Sequence, residues 1–258
     1  MPTPYKKERE MADDEPAGIT TFKSGHTLSR WAIAFLLFVV IAYLAYIVSD
    51  YMQIKLVEGT LRGGMITFAE ATANDNRQAA IGTVVMIASI VSVIIMLVWL
   101  YRAYKNLTAL NSSDLFFLPG WAVAGFFIPI WNFFHPIFVM RDLWKASDPS
   151  VDIEDSKAWK KAPTSPFIFL WWLLNLIAFF VTYVVNQWSD SLTSLREIYN
   201  MSWAILIIHL LTMFYFMLSI ELVHAIDGRQ TRKAKLIADY NGIKVMPGSF
   251  DSVIEAGD

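Results

Sequence analysis

The chain has 258 residues, of which 55% are hydrophobic and only 17% charged, and its net charge is −2. Soluble domains carry about 25% charge; here the charges fall in a few segments with long uncharged stretches between them, which excludes a disordered chain, a basic nucleic-acid module and a secreted disulfide scaffold. There is no Cys, so disulfides, thiolate metal sites and thiol catalysis are removed together.

In chain order, residues 1–30 read as a polar tail. It carries Glu8, Glu10, Asp13, Asp14 and Glu15 and is expected to be disordered to about Thr20. The tail is too long, and the apolar run after it too extended, for a cleavable signal, so the first span is expected to be a retained anchor. A bilayer core of about 30 Å takes about 20 apolar residues as helix. Five uncharged runs reach that length: Trp31–Ser49, Ala79–Tyr101, Leu115–Met140, Ala162–Ser189 and Ile198–Ile220. Four read as clean helices, with spans of about 31–49, 79–101, 166–188 and 198–220. Trp31, Tyr101, Trp188, Tyr199 and Trp203 stand near their ends, where amphipathic rings favour the headgroup level. The stretch Asp50–Gln78 reads as a loop of 29 residues between the first two.

Leu115–Met140 differs. It holds Pro119, Gly120, Gly125, Pro129 and Pro136. Each internal proline deletes a backbone donor and clashes one turn back, at about 3 kcal/mol. Counting Lys and Arg decides its path. With four spans, 17 basic residues fall on one side and 4 on the other; with this run as a fifth span the better split is 13 against 8. The positive-inside rule selects four spans. The expected fold is therefore an all-α polytopic bundle of four transmembrane helices plus a Pro-broken segment, 115–140, re-entrant or interfacial. The membrane domain covers 31–240, and 241–258 forms a cytoplasmic tail whose end, Met246–Asp258, is expected to be loose. Both termini are expected in the cytoplasm.

Past the second span, Arg102, Lys105 and Asn106 share a helical side. The helix is expected to stop at Asn111-Ser-Ser-Asp114. After the prolines, Met140–Ser147 reads as a short amphipathic helix, with Leu143 and Trp144 turned to the interface and Arg141 and Lys145 to phosphates.

The pattern W-x-Y-R-A-x-x-N-L, P-x-W-A-V, F-x-P-x-x-N-x-x-x-P, L-W-x-x-S runs through Trp99, Tyr101, Arg102, Asn106, Pro119, Trp121, Phe127, Pro129, Asn132, Pro136, Leu143, Trp144 and Ser147. It resembles an uncharacterised bacterial multi-pass membrane-protein family, a domain of unknown function, over roughly Val98–Ser147. The resemblance implies a bacterial membrane protein and brings no activity with it.

Polar residues at membrane depth are costly and mark function by default. Asn132, His135, Asn175 and His209 are the candidates for a cavity under the broken segment. Against that, His209 also reads as a neutral ring bonded to a neighbouring helix, for example at Asn175. Glu221-x-x-His224 has di-metal spacing but lacks the second motif such sites need, so no metal and no other cofactor is expected. Arg102, Lys105, Arg141, Lys145, Arg229 and Arg232 are candidate contacts to lipid headgroups. No nucleophilic triad or phosphate loop is present. The expected function is a non-enzymatic integral protein of the bacterial inner membrane, an interaction or accessory subunit of a larger complex. The alternative is a channel, transporter or lipid-handling protein. Expected partners are the lipid bilayer and other membrane subunits or further copies of the chain, with no nucleic acid.

Overall fold

A computed structural model describes residues 21–189 and 193–242; the expectations for the tail up to Thr20 and for Met246–Asp258 lie outside the described residues. Among those residues there are six α-helices and no strand. They are α1 (His26–Leu61), α2 (Phe68–Ala109), α3 (Pro119–Ala124), α4 (His135–Ala146), α5 (Pro166–Ser189) and α6 (Leu195–Tyr240). Four of them, α1, α2, α5 and α6, are long and apolar enough to cross a membrane.

Three of the four are longer than a crossing needs. At 1.5 Å per residue, α1, α2 and α6 extend about 54, 63 and 69 Å. The loop expected from Asp50 to Gln78 is corrected: α1 continues to Leu61 and α2 begins at Phe68, leaving 62–67 as the connection. The physical reason is local. Asp50–Leu61 contains no proline and a single Gly, so the helix propagates until Gly63, whose φ of +95° is a left-handed turn that favours glycine. Thr67 then restarts a helix through a capping box. Its hydroxyl accepts from the Glu70 amide at 3.2 Å while the Glu70 carboxylate accepts from the Thr67 amide at 2.9 Å. Ser194 and Glu197 repeat the device at the start of α6. Thr67→Ala and Ser194→Ala are each expected to lower stability by about 1 kcal/mol. Thermal unfolding in detergent checks this, and two unshifted melts would dismiss the caps as contributors.

The long helices run antiparallel. Tyr43 meets Phe216, Asp50 meets His209 and Gln53 meets Ser202, so α1 ascends as α6 descends. Gln78 bonds Gln53 and Gly82 lies against Tyr46, which gives the same relation between α1 and α2. In lateral order the bundle is α2, α1, α6, α5. Small residues line the seams: Ser29, Ala32, Ala42 and Ser49 on α1, Ala88, Ser92 and Ala103 on α2, Ser202 and Ser219 on α6. Helices surrounded by lipid gain little from hydrophobic association, and small side chains let backbones approach for dispersion contact. Leu37, Phe38, Ile41, Leu44 and Val48 fill the outward face of α1.

α2 ends and α5 begins at the same end of the bundle, so the chain between them enters and leaves on one side. α2 stops in a Schellman turn: Asn111 has φ +52°, the Ser112 amide bonds the Leu107 carbonyl, and the Asn111 amide bonds that of Thr108. The proline-bearing stretch then breaks into α3, two 3-10 turns at Gly125–Phe127 and Trp131–Phe133, and α4. Pro119 and Pro136 occupy first turns, where no amide partner is lost. Phe133 anchors the stretch to α5. Its carbonyl accepts from Trp172 Nε1 at 3.0 Å, and its ring packs on Phe179 and Phe180 two turns further along.

Candidate functional site

The uncharged stretch of α6 ends at Ile220, yet the helix continues for about 30 Å beyond it. Ile226, Gln230, Lys233 and Ala234 recur at helical spacing and turn one stripe toward α2 and α4. Gln230 Nε2 donates to the Ala103 carbonyl (2.8 Å) and to Ser147 Oγ (3.2 Å). Asn106 donates to the Lys23 carbonyl at 2.8 Å, which docks the chain just before α1. Lys233 is 2% exposed and donates to Ser112 Oγ (3.2 Å) and to the Ala146 carbonyl (2.8 Å) at the C-terminus of α4. Burial pushes its amine down to about 8, against the pull of Asp148. Burial also opposes the charge of Asp148, but the Ser150 amide and hydroxyl and the Arg229 guanidinium outweigh it and hold that carboxyl below its ordinary range. Tyr104, fully buried, donates to Asp142 at 3.3 Å and accepts from the Phe117 amide at 3.1 Å. Desolvation raises the Asp142 carboxyl despite Arg141 beside it. This end of the bundle is a rigid polar-and-apolar platform.

The broken segment sits on that platform and encloses a cleft of about 680 Å³. Leu115, Phe116, Phe117, Trp121, Ile128 and Trp131 form its walls, and the Asp114–Lys160 ion pair lies at its edge. His135 contributes to its floor and is itself fully buried. Its Nδ1 accepts from Trp131 Nε1 at 2.9 Å, so its Nε2 carries the proton and donates to the Ala122 carbonyl at 3.0 Å. Phe117 and Phe126 meet the ring edge-on. Accepting at Nδ1 requires the neutral ring, and burial lowers its pKa in the same sense. The cleft is apolar and aromatic with one charged pair at its margin, a shape and chemistry suited to the chain of an amphiphile.

Among the described residues, the four residues expected to line one cavity are not brought together. His135 faces the cleft, whereas Asn132 sits half-buried in the second 3-10 turn and Asn175 half-buried on α5. His209 is bonded not to Asn175 but to Asp50 of α1, at 2.6 Å. The reason is rotational: α6 turns His209 to its α1 seam and keeps Ser219 and Tyr215 for Trp171 of α5.

Among the candidate headgroup contacts, Arg229 is redirected inward. It lies 2.6 Å from Asp148 and its guanidinium stacks 4.3 Å over Trp144. Lys145 bonds the Lys160 carbonyl, and Arg141 lies over Phe138. Lys105 and Arg232 are exposed, and Arg102 is half-buried. Glu221 and His224 are both exposed, and no group of three His, Asp or Glu among the described residues could hold a metal.

Sequence reasoning missed Asp50, Tyr104, Asp142, Gln230 and Lys233. For Asp50 a signal existed: no breaker separates it from the first span, and helical spacing aligns it with Ile54 and Val57 on the buried stripe.

No curated protein and no solved structure matches the chain. Residues 62–228 match the family described as Domain of unknown function (DUF4328), a match that takes in α2, the whole broken segment, α5 and most of α6, and leaves out α1. The chain belongs to this DUF4328 family.

Proposed function

We propose that the protein is a non-enzymatic, lipid-handling protein of a bacterial inner membrane, seating one apolar chain of an amphiphile in the cleft under its broken segment. The observation that carries this reading is the cleft itself: about 680 Å³ walled by five aromatic or branched apolar side chains around Trp121, with the Asp114–Lys160 pair at its edge. A phospholipid or fatty acid offers the matching parts, a chain for the walls and an anionic head for Lys160. The excess of Lys and Arg at the end bearing the broken segment supports a cytoplasmic placement for that end and for both termini. A re-entrant course for 115–140 is supported by Phe133, whose contacts reach Phe179 and Phe180, about 20 Å along α5 from its first residue.

The test uses the full chain in a mild detergent with a fluorescent fatty acid as probe. Phe116→Ala and Trp121→Ala remove wall surface at positions that are already part-exposed. Each is expected to weaken probe binding about 10- to 100-fold, since an aromatic contact contributes about 1.5–3 kcal/mol. Equal binding by wild type and both variants would defeat the reading.

A second reading, an accessory subunit of a larger assembly or a homo-oligomer, rests on a different observation. Phe127 and Ile130 at the tip of the broken segment are 72% and 80% exposed, a surface that covers itself with lipid or with protein. A stoichiometric subunit retained in the same detergent, with no probe bound, would favour it.

A further inference from the structure

We propose that the ligand of the cleft is a single-chain ethanolamine phospholipid, with its chain against the aromatic walls and its zwitterionic head exchanged into the Asp114–Lys160 pair. The inference rests on the chain-binding reading of the cleft given above and names the head that the same site selects.

Charge is the first argument. Among the described residues that line the cleft, Asp114 and Lys160 alone carry charge, since His135 in the floor is neutral. They bond to each other at the edge, and both are part-exposed, so a head can reach them. A purely anionic head drawn to Lys160 also comes up against Asp114, whose repulsion offsets most of the attraction. A purely cationic head meets Lys160 in the same way. A head that bears both charges a short bridge apart replaces one ion pair by two. Its ammonium takes at Asp114 the place of the Lys160 ammonium, and its phosphate takes at Lys160 the place of the Asp114 carboxylate. The exchange is like for like only with a primary ammonium. Asp114 accepts a hydrogen bond from the Lys160 ammonium, and a quaternary ammonium has no N–H to give. Lys145 of α4 donates to the Lys160 carbonyl, so a second cation backs the phosphate position.

Preorganisation is the second. The segments that carry the two charges are fastened together without them. Asn111 Nδ2 donates to the Ile153 carbonyl at 2.6 Å, and the Ser113 amide to the Ser156 carbonyl at 2.9 Å. The Ser113 and Ser156 hydroxyls meet at 2.7 Å, and the indole of the buried Trp159 donates to the Ser113 carbonyl at 3.0 Å. Opening the ion pair therefore leaves both side chains anchored where the head needs them. The opening itself costs little, because a part-exposed ion pair contributes little.

Size is the third. At about 30 Å³ for each water-sized group, about 680 Å³ holds roughly twenty chain atoms, one acyl chain and not two. A two-chain lipid engages the pair only with its second chain outside the walls.

The experiment displaces the fluorescent fatty acid from the full chain in mild detergent. The competitors are ethanolamine, choline and glycerol lysophospholipids and the unlabelled fatty acid, all of equal chain length, and a two-chain ethanolamine phospholipid. The single-chain ethanolamine lipid is expected to displace the probe at about fivefold lower concentration than the others. Asp114→Asn places a residue that tolerates the local φ of +56°. It should weaken the ethanolamine lipid about fivefold and strengthen the fatty acid, whose carboxylate no longer meets a like charge. A variant that only loosened the fold would weaken both. Equal displacement by all competitors overturns the proposal, and so does a choline or two-chain lipid that competes best, or a preference that survives Asp114→Asn. In each of these the chain-binding reading stands if Trp121→Ala still weakens the fatty acid. A wild type that binds no probe removes both. If Asp114→Asn does not fold, the wild-type series alone decides.

Discussion

Replacing Lys233 with Met is expected to leave the protein almost as stable as wild type at pH 7, while Lys233→Ala loses about 3 kcal/mol in thermal or denaturant unfolding in detergent. Lys233 is 2% exposed and fills the space between α6, the end of α2 and the end of α4. Truncation to Ala empties that space. Met keeps the volume and removes the buried charge, so a lost charge-assisted hydrogen bond is offset by relieved desolvation. The Ala146 carbonyl keeps a donor in Ser112 Oγ at 3.2 Å. The sign of the pH dependence follows from the same burial. The folded amine titrates at about 8 and the unfolded one at 10.5. Between those values the unfolded chain binds more protons, so this group makes stability rise with pH across that window. Below it the unfavourable contribution is fully present; above it the contribution is gone. The wild type minus Met difference should therefore climb from about pH 8 to about 10.5. A flat difference would show that burial does not shift the Lys233 amine, and a Met variant as damaged as Ala would show that its hydrogen bonds outweigh its desolvation.

The four spans were readable because lipid imposes one demand that composition reveals: long runs without charge. Charge asymmetry, not hydropathy, separated Leu115–Met140 from them, and its prolines then appear where helices begin or break. Helix ends were harder. Asp50–Leu61 and Phe68–Gln78 are polar, and polarity was taken for loop. A helix that leaves the membrane still satisfies its own backbone, and Thr67 with Glu70 caps it. The polar pairings were the least legible. Whether His209 meets Asn175 or Asp50 depends on which seam α6 turns toward α1, and that rotation is set by small residues such as Ser202 and Ser219 over the whole helix. Arg229 reads as surface charge because a basic cluster after a span usually meets headgroups, and Lys233 in the same cluster carries no sequence signal of burial. Here α4 and the turn at Asp148 fold back over them, a tertiary event with no local signature.

Gly125→Ala should destabilise the protein by about 3 kcal/mol and weaken probe binding in the cleft, although the backbone at Gly125 is ordinary right-handed helix (φ −61°) that alanine adopts freely. The penalty is one of space. A Cβ at Gly125 would overlap the His135 ring. The ring has nowhere to go: both nitrogens are bonded, to Trp131 and to Ala122, and Phe117 and Phe126 flank it at 4.6 and 5.5 Å. Shifting it breaks two hydrogen bonds at about 1 kcal/mol each and adds about 1–3 kcal/mol of overpacking strain. His135→Ala alone is also harmful, because it leaves a void, the buried Ala122 carbonyl without its donor and the Trp131 indole without its acceptor. The double variant separates steric overlap from any other role of this glycine. With the ring gone the new methyl has room, so Gly125→Ala/His135→Ala should unfold within about 1 kcal/mol of His135→Ala, a coupling of about 2–3 kcal/mol between the two sites. Simple additivity would show that the methyl and the ring never compete, and the packing of the cleft floor described above would be wrong.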